Sequence, residues 1–171
     1  MEEGIFWFFY NLATRLPFLG AVAIFLARDL LWVLIIAFVF CARYFHFNQR
    51  EVLIMIICIF CAWGLSILIK SLYISPRPFI FFTNLEPLIK AREAFASFPS
   101  SHTIVAVAIA IVLFFFGYSY LGIIFAVGAL LVGLGRIMVG VHWPSDVLGA
   151  FVLGFLTVWI VKLALKFYTS R

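Results

Sequence analysis

Residues 99–146 read PSSHTIVAVAIAIVLFFFGYSYLGIIFAVGALLVGLGRIMVGVHWPSD, and the placement of their polar side chains decides the fold. Strongly polar groups stand only at the two ends: Pro99-Ser100-Ser101-His102 at one, and Arg136, His142 and Asp146 at the other. Between them lie two apolar runs joined by Gly117-Tyr118-Ser119-Tyr120, which reads as a tight turn. Two membrane crossings return both ends to one side. The preceding apolar run, Val52 to Ile69, ends at Lys70 with Arg77 beyond it, so both cations reach that same side. Six charged or imidazole groups far apart in sequence thus share one rim, the pattern of a site.

Composition requires lipid. The chain has 171 residues, 67% hydrophobic and 11% charged, with a mean hydropathy of +1.22. A soluble domain of this length leaves about a third of its unfolded surface exposed, and so much apolar surface cannot be hidden inside it. The apolar runs are too many and too evenly spread for a cleaved export signal. The reading is all-α: one polytopic transmembrane helical bundle occupying residues 1–171. Net charge is +5, but Lys and Arg stand singly or in pairs, which argues against nucleic acid and for phosphate or anionic lipid. Cys41, Cys58 and Cys61 lie inside apolar runs and read as small buried hydrophobes, with no disulfide framework or metal spacing.

Five spans are expected, near Leu30–Phe45, Val52–Ser71, Thr103–Phe116, Leu121–Met138 and Ser145–Phe167. The N-terminal stretch contains Asn11, Arg15 and Pro17. Arg15 at mid-membrane would cost about 2–3 kcal/mol, so this stretch reads as an interfacial helix with a bend at Pro17, a sixth span being the alternative. The first span begins at Leu30 or, alternatively, earlier in the apolar run from Phe18, with Arg28-Asp29 breaking it. Residues 73–100 form the longest extramembrane segment. Ser75-Pro76-Arg77-Pro78 must be extended there, and Glu86–Glu93 is expected to form a short interfacial helix whose Lys90 and Arg92 face solvent. His46, in the opposite-side turn, is a surface residue.

Three converging cations call for an anion. Arg77 and Arg136 each present a fork for two oxygens, and Lys70 a point charge. Ser100 and Ser101 open the third span, where either can cap the first turn and where free backbone N–H groups favour phosphate. His142 and Asp146 are four apart, so the carboxylate reaches one ring nitrogen and leaves the other to attack. His142 is then the nucleophile, Asp146 its orienting partner, and His102 the proton donor to the leaving oxygen. No bound metal or other cofactor is needed, and no obligate protein partner is evident.

These residues resemble the type 2 phosphatidic acid phosphatase (PAP2) superfamily, which includes vanadium haloperoxidases and glucose-6-phosphatase. Its Lys-x6-Arg-Pro motif is met by Lys70 to Pro78. Its Pro-Ser-Gly-His motif is met by Pro99 to His102 with Ser101 for glycine. Its Ser-Arg-x5-His-x3-Asp motif is met by Arg136, His142 and Asp146 with Gly135 for serine. The resemblance implies a PAP2 or acid phosphatase–haloperoxidase type bundle and a phosphohistidine mechanism, with His142 as nucleophile and His102 as general acid. Pro76-Arg77-Pro78-Phe79 and Phe98 to Thr103 look most like small bacterial undecaprenyl-diphosphatases. Lipid A 1-phosphate, phosphatidylglycerol phosphate and phosphatidate are the alternative substrates, and a non-enzymatic anion or lipid-phosphate transporter is the rival class. The family resemblance favours a multi-pass inner (plasma) membrane protein with its site facing periplasm or exterior. Charge alone is a weak guide, with seven Lys or Arg on the site side and five opposite, or four against five once Lys70, Arg77 and Arg136 are reserved for ligand.

Overall fold

After Ser101-His102-Thr103 the residues up to Phe115 are apolar on every face, and the architecture follows from burying them. The helix containing them, α6 (Ser101–Phe115), has fifteen residues and is about 22 Å long, shorter than the roughly 30 Å hydrocarbon core of a bilayer. Ten of its residues, from Thr103 to Leu113, are buried. Protein rather than lipid surrounds it: α3 (Leu30–Tyr44), α4 (Gln49–Leu72), α7 (Ser119–Met138) and α8 (Pro144–Thr169) pack around α6. Small side chains at Ala106, Ala108 and Ala110 let the neighbours approach closely, and a Cβ on Gly154 of α8 would stand 3.2 Å from the Ile104 carbonyl oxygen. In this computed structural model residues 2–91 and 93–169 are described, 166–169 by backbone alone. Arg92, Arg171 and the Lys166 side chain therefore lie outside the described residues.

Four helices among the described residues are long and apolar enough to cross a membrane: Pro17–Tyr44, Gln49–Leu72, Ser119–Met138 and Pro144–Leu165. Five spans were expected, and the difference is α6. Leu31, Leu34 and Phe38 turn inward from α3, while Trp32, Ile36 and Phe40 stay exposed on a face suited to lipid. Cys61 belongs to such an exposed face of α4, which corrects its reading as a buried hydrophobe; Cys58 alone of the three is fully buried.

In the N-terminal region the bend expected at Pro17 is present, and the break expected at Arg28-Asp29 is not. Helix α1 (Glu2–Arg15) stops before an extended Leu16, and Pro17 opens α2 (Pro17–Ile24) at its first helical position. No break follows at Arg28-Asp29. The helix runs on through a π-helical turn, Phe25–Asp29, into α3, and the two charges pair with each other, Arg28 Nε donating to Asp29 Oδ1 at 2.9 Å. The widened turn carries Leu26 and Ala27 against Gly135 of α7, where a Cβ would lie 2.6 Å from Leu26 Cβ and 2.8 Å from Ala27 N.

The expected helix over Glu86–Glu93 is absent, and 86–91 is irregular. Its backbone is used elsewhere: Leu88 N–H donates to the Val139 carbonyl at 3.0 Å, and the Glu86 carbonyl accepts from the Tyr10 hydroxyl at 2.7 Å. Glu86 and Lys90 are exposed. Among the described residues the only helix within 73–100 is the short α5 (Pro78–Phe81).

Chain reversals are tightly specified. Helix α7 closes with Gly140 at φ +81°, its N–H bonded to Ile137 O and that of Val141 to Arg136 O, a Schellman cap that requires the left-handed region. The same bonds end α3 with His46 at φ 51°, so His46 is an exposed turn residue. Beside that turn Tyr118 stacks on Phe47 and donates to Glu51 at 2.9 Å.

Gly135→Ser should lower the thermal midpoint in detergent by the equivalent of about 1–3 kcal/mol. Scanning fluorimetry of the two proteins checks this, and an unchanged midpoint would refute the close approach of α7 to the π-helical turn.

Candidate active site

The sequence around His142 forces its side chain inward. The Schellman cap at Gly140 reverses the chain, and Pro144 opens α8 as its first residue, leaving Trp143 at the helix cap. Asp146 is then the third residue of α8, and its Oδ2 accepts the Trp143 N–H at 2.8 Å, the carboxylate half of a capping box. The same oxygen lies 3.1 Å from His142 Nδ1. His142 is 1% exposed and Asp146 2%. The start of α8 thus ties a cap and an imidazole to one carboxylate oxygen.

Arg77 sits across from this pair, 6% exposed. Its Nε donates to Glu93 O at 2.6 Å, Nη1 to Val141 O at 2.7 Å and Nη2 to Ala96 O at 3.3 Å. Nη1 also lies 3.1 Å from His142 Nε2. A guanidinium only donates, so Nε2 carries the lone pair and Nδ1 the proton that goes to Asp146. The tautomer is fixed from both sides. Backbone bonds hold Arg77 in place: Ser75 N–H reaches Phe95 O, Ser97 N–H reaches Ser75 O and Arg77 N–H reaches Ala94 O, around a parallel bridge between Ser75 and Ala96.

The remaining expected residues converge on the same place. The starts of α6 and α8 meet where Ser100 N–H donates to Asp146 O at 3.2 Å. Arg136, 7% exposed, donates from Nη1 to Ala27 O of the π-helical turn at 3.2 Å, while its buried Nε has no partner among the described residues. Lys70 at the end of α4 and His102 in the first turn of α6 hydrogen-bond to no other described side chain, and each lies in the field of Arg77 and Arg136. Burial first, then the charges of Arg136, Arg77, Lys70 and His102, hold His142 well below the usual imidazole range. Burial likewise lowers Arg77, against the pull of Asp146 and Glu93.

The two serines are placed differently from each other. Neither caps α6 through its side chain. Ser100 Oγ accepts from Thr103 Oγ1 at 2.9 Å, and Ser101 Oγ is 3.1 Å from Ser66 Oγ of α4, which also donates to Trp63 O. Ser101 in the glycine position therefore faces α4. Among the described residues no three His, Cys, Asp or Glu side chains gather as a metal site.

The profile of the PAP2 superfamily matches residues 51–169. The chain belongs to the PAP2 superfamily. Lys70, Arg77, His102, Arg136, His142 and Asp146 all fall inside that match. The chain is 32% identical over 157 residues to the bacitracin transport permease protein BcrC of Bacillus licheniformis, covering 91% of this chain and 76% of that one. It is 43% identical over 96 residues to the undecaprenyl-diphosphatase BcrC of Bacillus subtilis, covering 54% and 48%. The crystal structure of Aquifex aeolicus LpxE superposes with a TM-score of 0.72 at 27% identity, covering 94% of this chain and 93% of that one. As a PAP2 protein the chain is a membrane phosphohydrolase acting on lipid phosphates.

The candidate site has further parts, and sequence reading missed two of them, Ser97 and helix α1. Ser97, fully buried, donates its hydroxyl to Asp146 Oδ2. Helix α1 closes over the loops: Phe6 packs on Trp143 and Phe82, and Glu2 Oε1 accepts the Ser145 N–H at 2.8 Å. Trp143 reaches back from its Nε1 to Pro76 O at 3.0 Å. A cavity of about 610 Å3 opens beside Asp146, walled by Tyr73, Phe81, Phe98 and Trp143, with Glu2 and Glu3 at its rim. A single buried serine or a pinned N-terminal helix leaves no periodic mark in a chain this apolar.

The depressed His142 has a consequence for stability. Below about pH 6.5 the imidazole protonates in the unfolded chain but not in the folded one, so stability falls as pH falls through that range. The thermal midpoint should drop from pH 7 to pH 5, and His142→Gln should flatten the slope; an equal slope in both proteins would refute the burial of a neutral ring.

Proposed function

We propose that this chain dephosphorylates undecaprenyl diphosphate to undecaprenyl phosphate through a phosphohistidine on His142, with residues 1–171 acting as one domain and 73–100 outside the membrane. The observation that carries this reading is a histidine held as the Nδ1–H tautomer by Asp146, beside three donors without a hydrogen-bond partner among the described side chains: Lys70, His102 and Arg136 Nε. These groups would bind the terminal phosphoryl oxygens, with Ser100 and the start of α6 supplying further donors. As the phosphate draws Arg77 Nη1 toward its oxygens, His142 Nε2 is uncovered.

Nε2 then forms a bond to phosphorus while the bond to the bridging oxygen breaks. The departing electron pair stays on that oxygen, which takes a proton from His102. Asp146 stabilises the imidazolium. Water next attacks the phosphohistidine, giving its proton to His102; the phosphorus–nitrogen bond breaks, its electrons return to Nε2, and inorganic phosphate leaves. Lys70, Arg77 and Arg136 balance charge on the equatorial oxygens throughout. The aromatic walls beside Asp146 suit the hydrocarbon adjoining the headgroup.

Five crossings, with α6 as the short third one and α1 on the interface, bring the site to one face, which we place outside the plasma membrane. The likeness to an undecaprenyl-diphosphatase supports the substrate; the likeness to a transport permease makes an anion or lipid-phosphate transporter the second reading.

Phosphate release in detergent micelles from undecaprenyl diphosphate, phosphatidylglycerol phosphate, phosphatidate and lipid A 1-phosphate ranks the substrates, and undecaprenyl diphosphate should give the highest kcat/KM. His142→Ala should lower turnover by at least about 1,000-fold in protein shown by circular dichroism to be folded. Full activity in that variant would overturn the mechanism, and a higher kcat/KM on another lipid would overturn the substrate.

A further inference from the structure

Asp146 is asked to hold one ring nitrogen of His142 in line while charge develops on the ring, yet a carboxylate can rotate about its terminal torsion. Three donors meet on its Oδ2: the Trp143 N–H at 2.8 Å, His142 Nδ1 at 3.1 Å and the Ser97 hydroxyl. The first two belong to the same turn as Asp146 and move with it. Ser97 comes from elsewhere in the chain, and its backbone has an anchor outside α8.

Its own backbone N–H is bonded to Ser75 O at 2.9 Å, inside the short parallel pairing that also sets Arg77. Its side chain has no exposure to solvent. The hydroxyl has one proton to give, and its other near neighbour, His142 Nδ1 at 3.5 Å, already carries a proton because Nε2 accepts from Arg77. Donation to Asp146 is therefore the role left for the Ser97 hydroxyl.

We propose that Ser97 is a positioning residue for the phosphoryl-transfer step, locking the Asp146 carboxylate onto His142 Nδ1 from the 73–100 segment. Its hydroxyl contacts Asp146 Oδ2 and lies near His142 Nδ1, not the attacking Nε2, and Ser97 lies outside all three family motifs. The 73–100 segment thus grips the nucleophile at both ring nitrogens: Arg77 directly at Nε2, and Ser97 through Asp146 at Nδ1. The inference rests on the proposed phosphohistidine chemistry.

The test is steady-state kinetics on the full chain in detergent for Ser97→Ala, Ser97→Thr, Asp146→Asn and the double variant Ser97→Ala/Asp146→Asn. Ser97→Ala should lower kcat about 10- to 100-fold, the range associated with losing one hydrogen bond to a charged group, while KM stays within a factor of about two. Ser97→Thr, which keeps the hydroxyl, should recover most of that loss. In the Asp146→Asn background, removing the Ser97 hydroxyl should cost little more, because the two act as a unit. Losses that multiply in the double variant, or a Ser97→Ala protein with wild-type kcat, would overturn the proposal while the His142 mechanism stood. If Ser97→Ala does not fold, Ser97→Cys and Ser97→Thr carry the test: cysteine should be slow and threonine fast, and equal rates would refute the role. A wild-type chain that releases no phosphate from any lipid would instead refute the chemistry on which the inference rests.

Discussion

A cation buried beside a membrane-embedded bundle must be surrounded by acceptors, and Arg77 meets that demand with three backbone carbonyls from two segments of chain. Glu93 and Ala96 lie on the incoming side of α6, and Val141 lies between α7 and α8. One planar guanidinium therefore fixes the distance between loops that no secondary structure joins. The cost of taking its charge out of water is of the order of several kcal/mol, and it is offset only while all these carbonyls stay in place. This mutual dependence gives the 73–100 segment, largely irregular in backbone, a definite shape.

The fixed loops explain the chemistry at His142. A histidine beside a carboxylate alone could adopt either tautomer or swing away. Here Arg77 approaches Nε2 and Asp146 approaches Nδ1, so the proton has one place to reside. The arrangement is poised rather than inert, since the Arg77 Nη1 that faces Nε2 also belongs to the fork expected to bind phosphate. In the mechanism we propose, an arriving phosphoryl group competes for that donor and in doing so exposes the lone pair that attacks it. Arg136 has a comparable division of labour: one nitrogen anchors it to Ala27 of the π-helical turn, and Nε remains without a partner among the described residues.

How much of this is legible in the sequence depends on the kind of signal. Residues whose chemistry is costly in lipid announce themselves, so helix parity alone gathers Lys70, Arg77, His102, Arg136, His142 and Asp146 at one rim. Apolar run length locates α4, α7 and α8 within a few residues. It does not separate a run buried in protein from one facing lipid, because both are equally hydrophobic, and α6 is of the first kind. Charge pairs mislead in another way. Arg28-Asp29 has the look of a break, but the two side chains neutralise each other on the outer face of a π-helical turn and the helix continues. Glu86–Glu93 has the composition of an interfacial helix, but its backbone groups are committed to Tyr10, Arg77 and Val139.

Gly135 shows why a departure from a family pattern needs its surroundings before it is read. Set against the motif alone, glycine in place of serine is the loss of one hydroxyl near the phosphate. In the fold it is the residue that lets α7 touch the backbone of the π-helical turn, with no room for a Cβ. That contact is also what brings Ala27 O within reach of Arg136, the next residue along. The glycine and the anchored arginine are thus one feature: close approach at 135 supplies the carbonyl that orients the guanidinium at 136. A hydroxyl at 135 would have to push α7 from the turn and so loosen the guanidinium at 136.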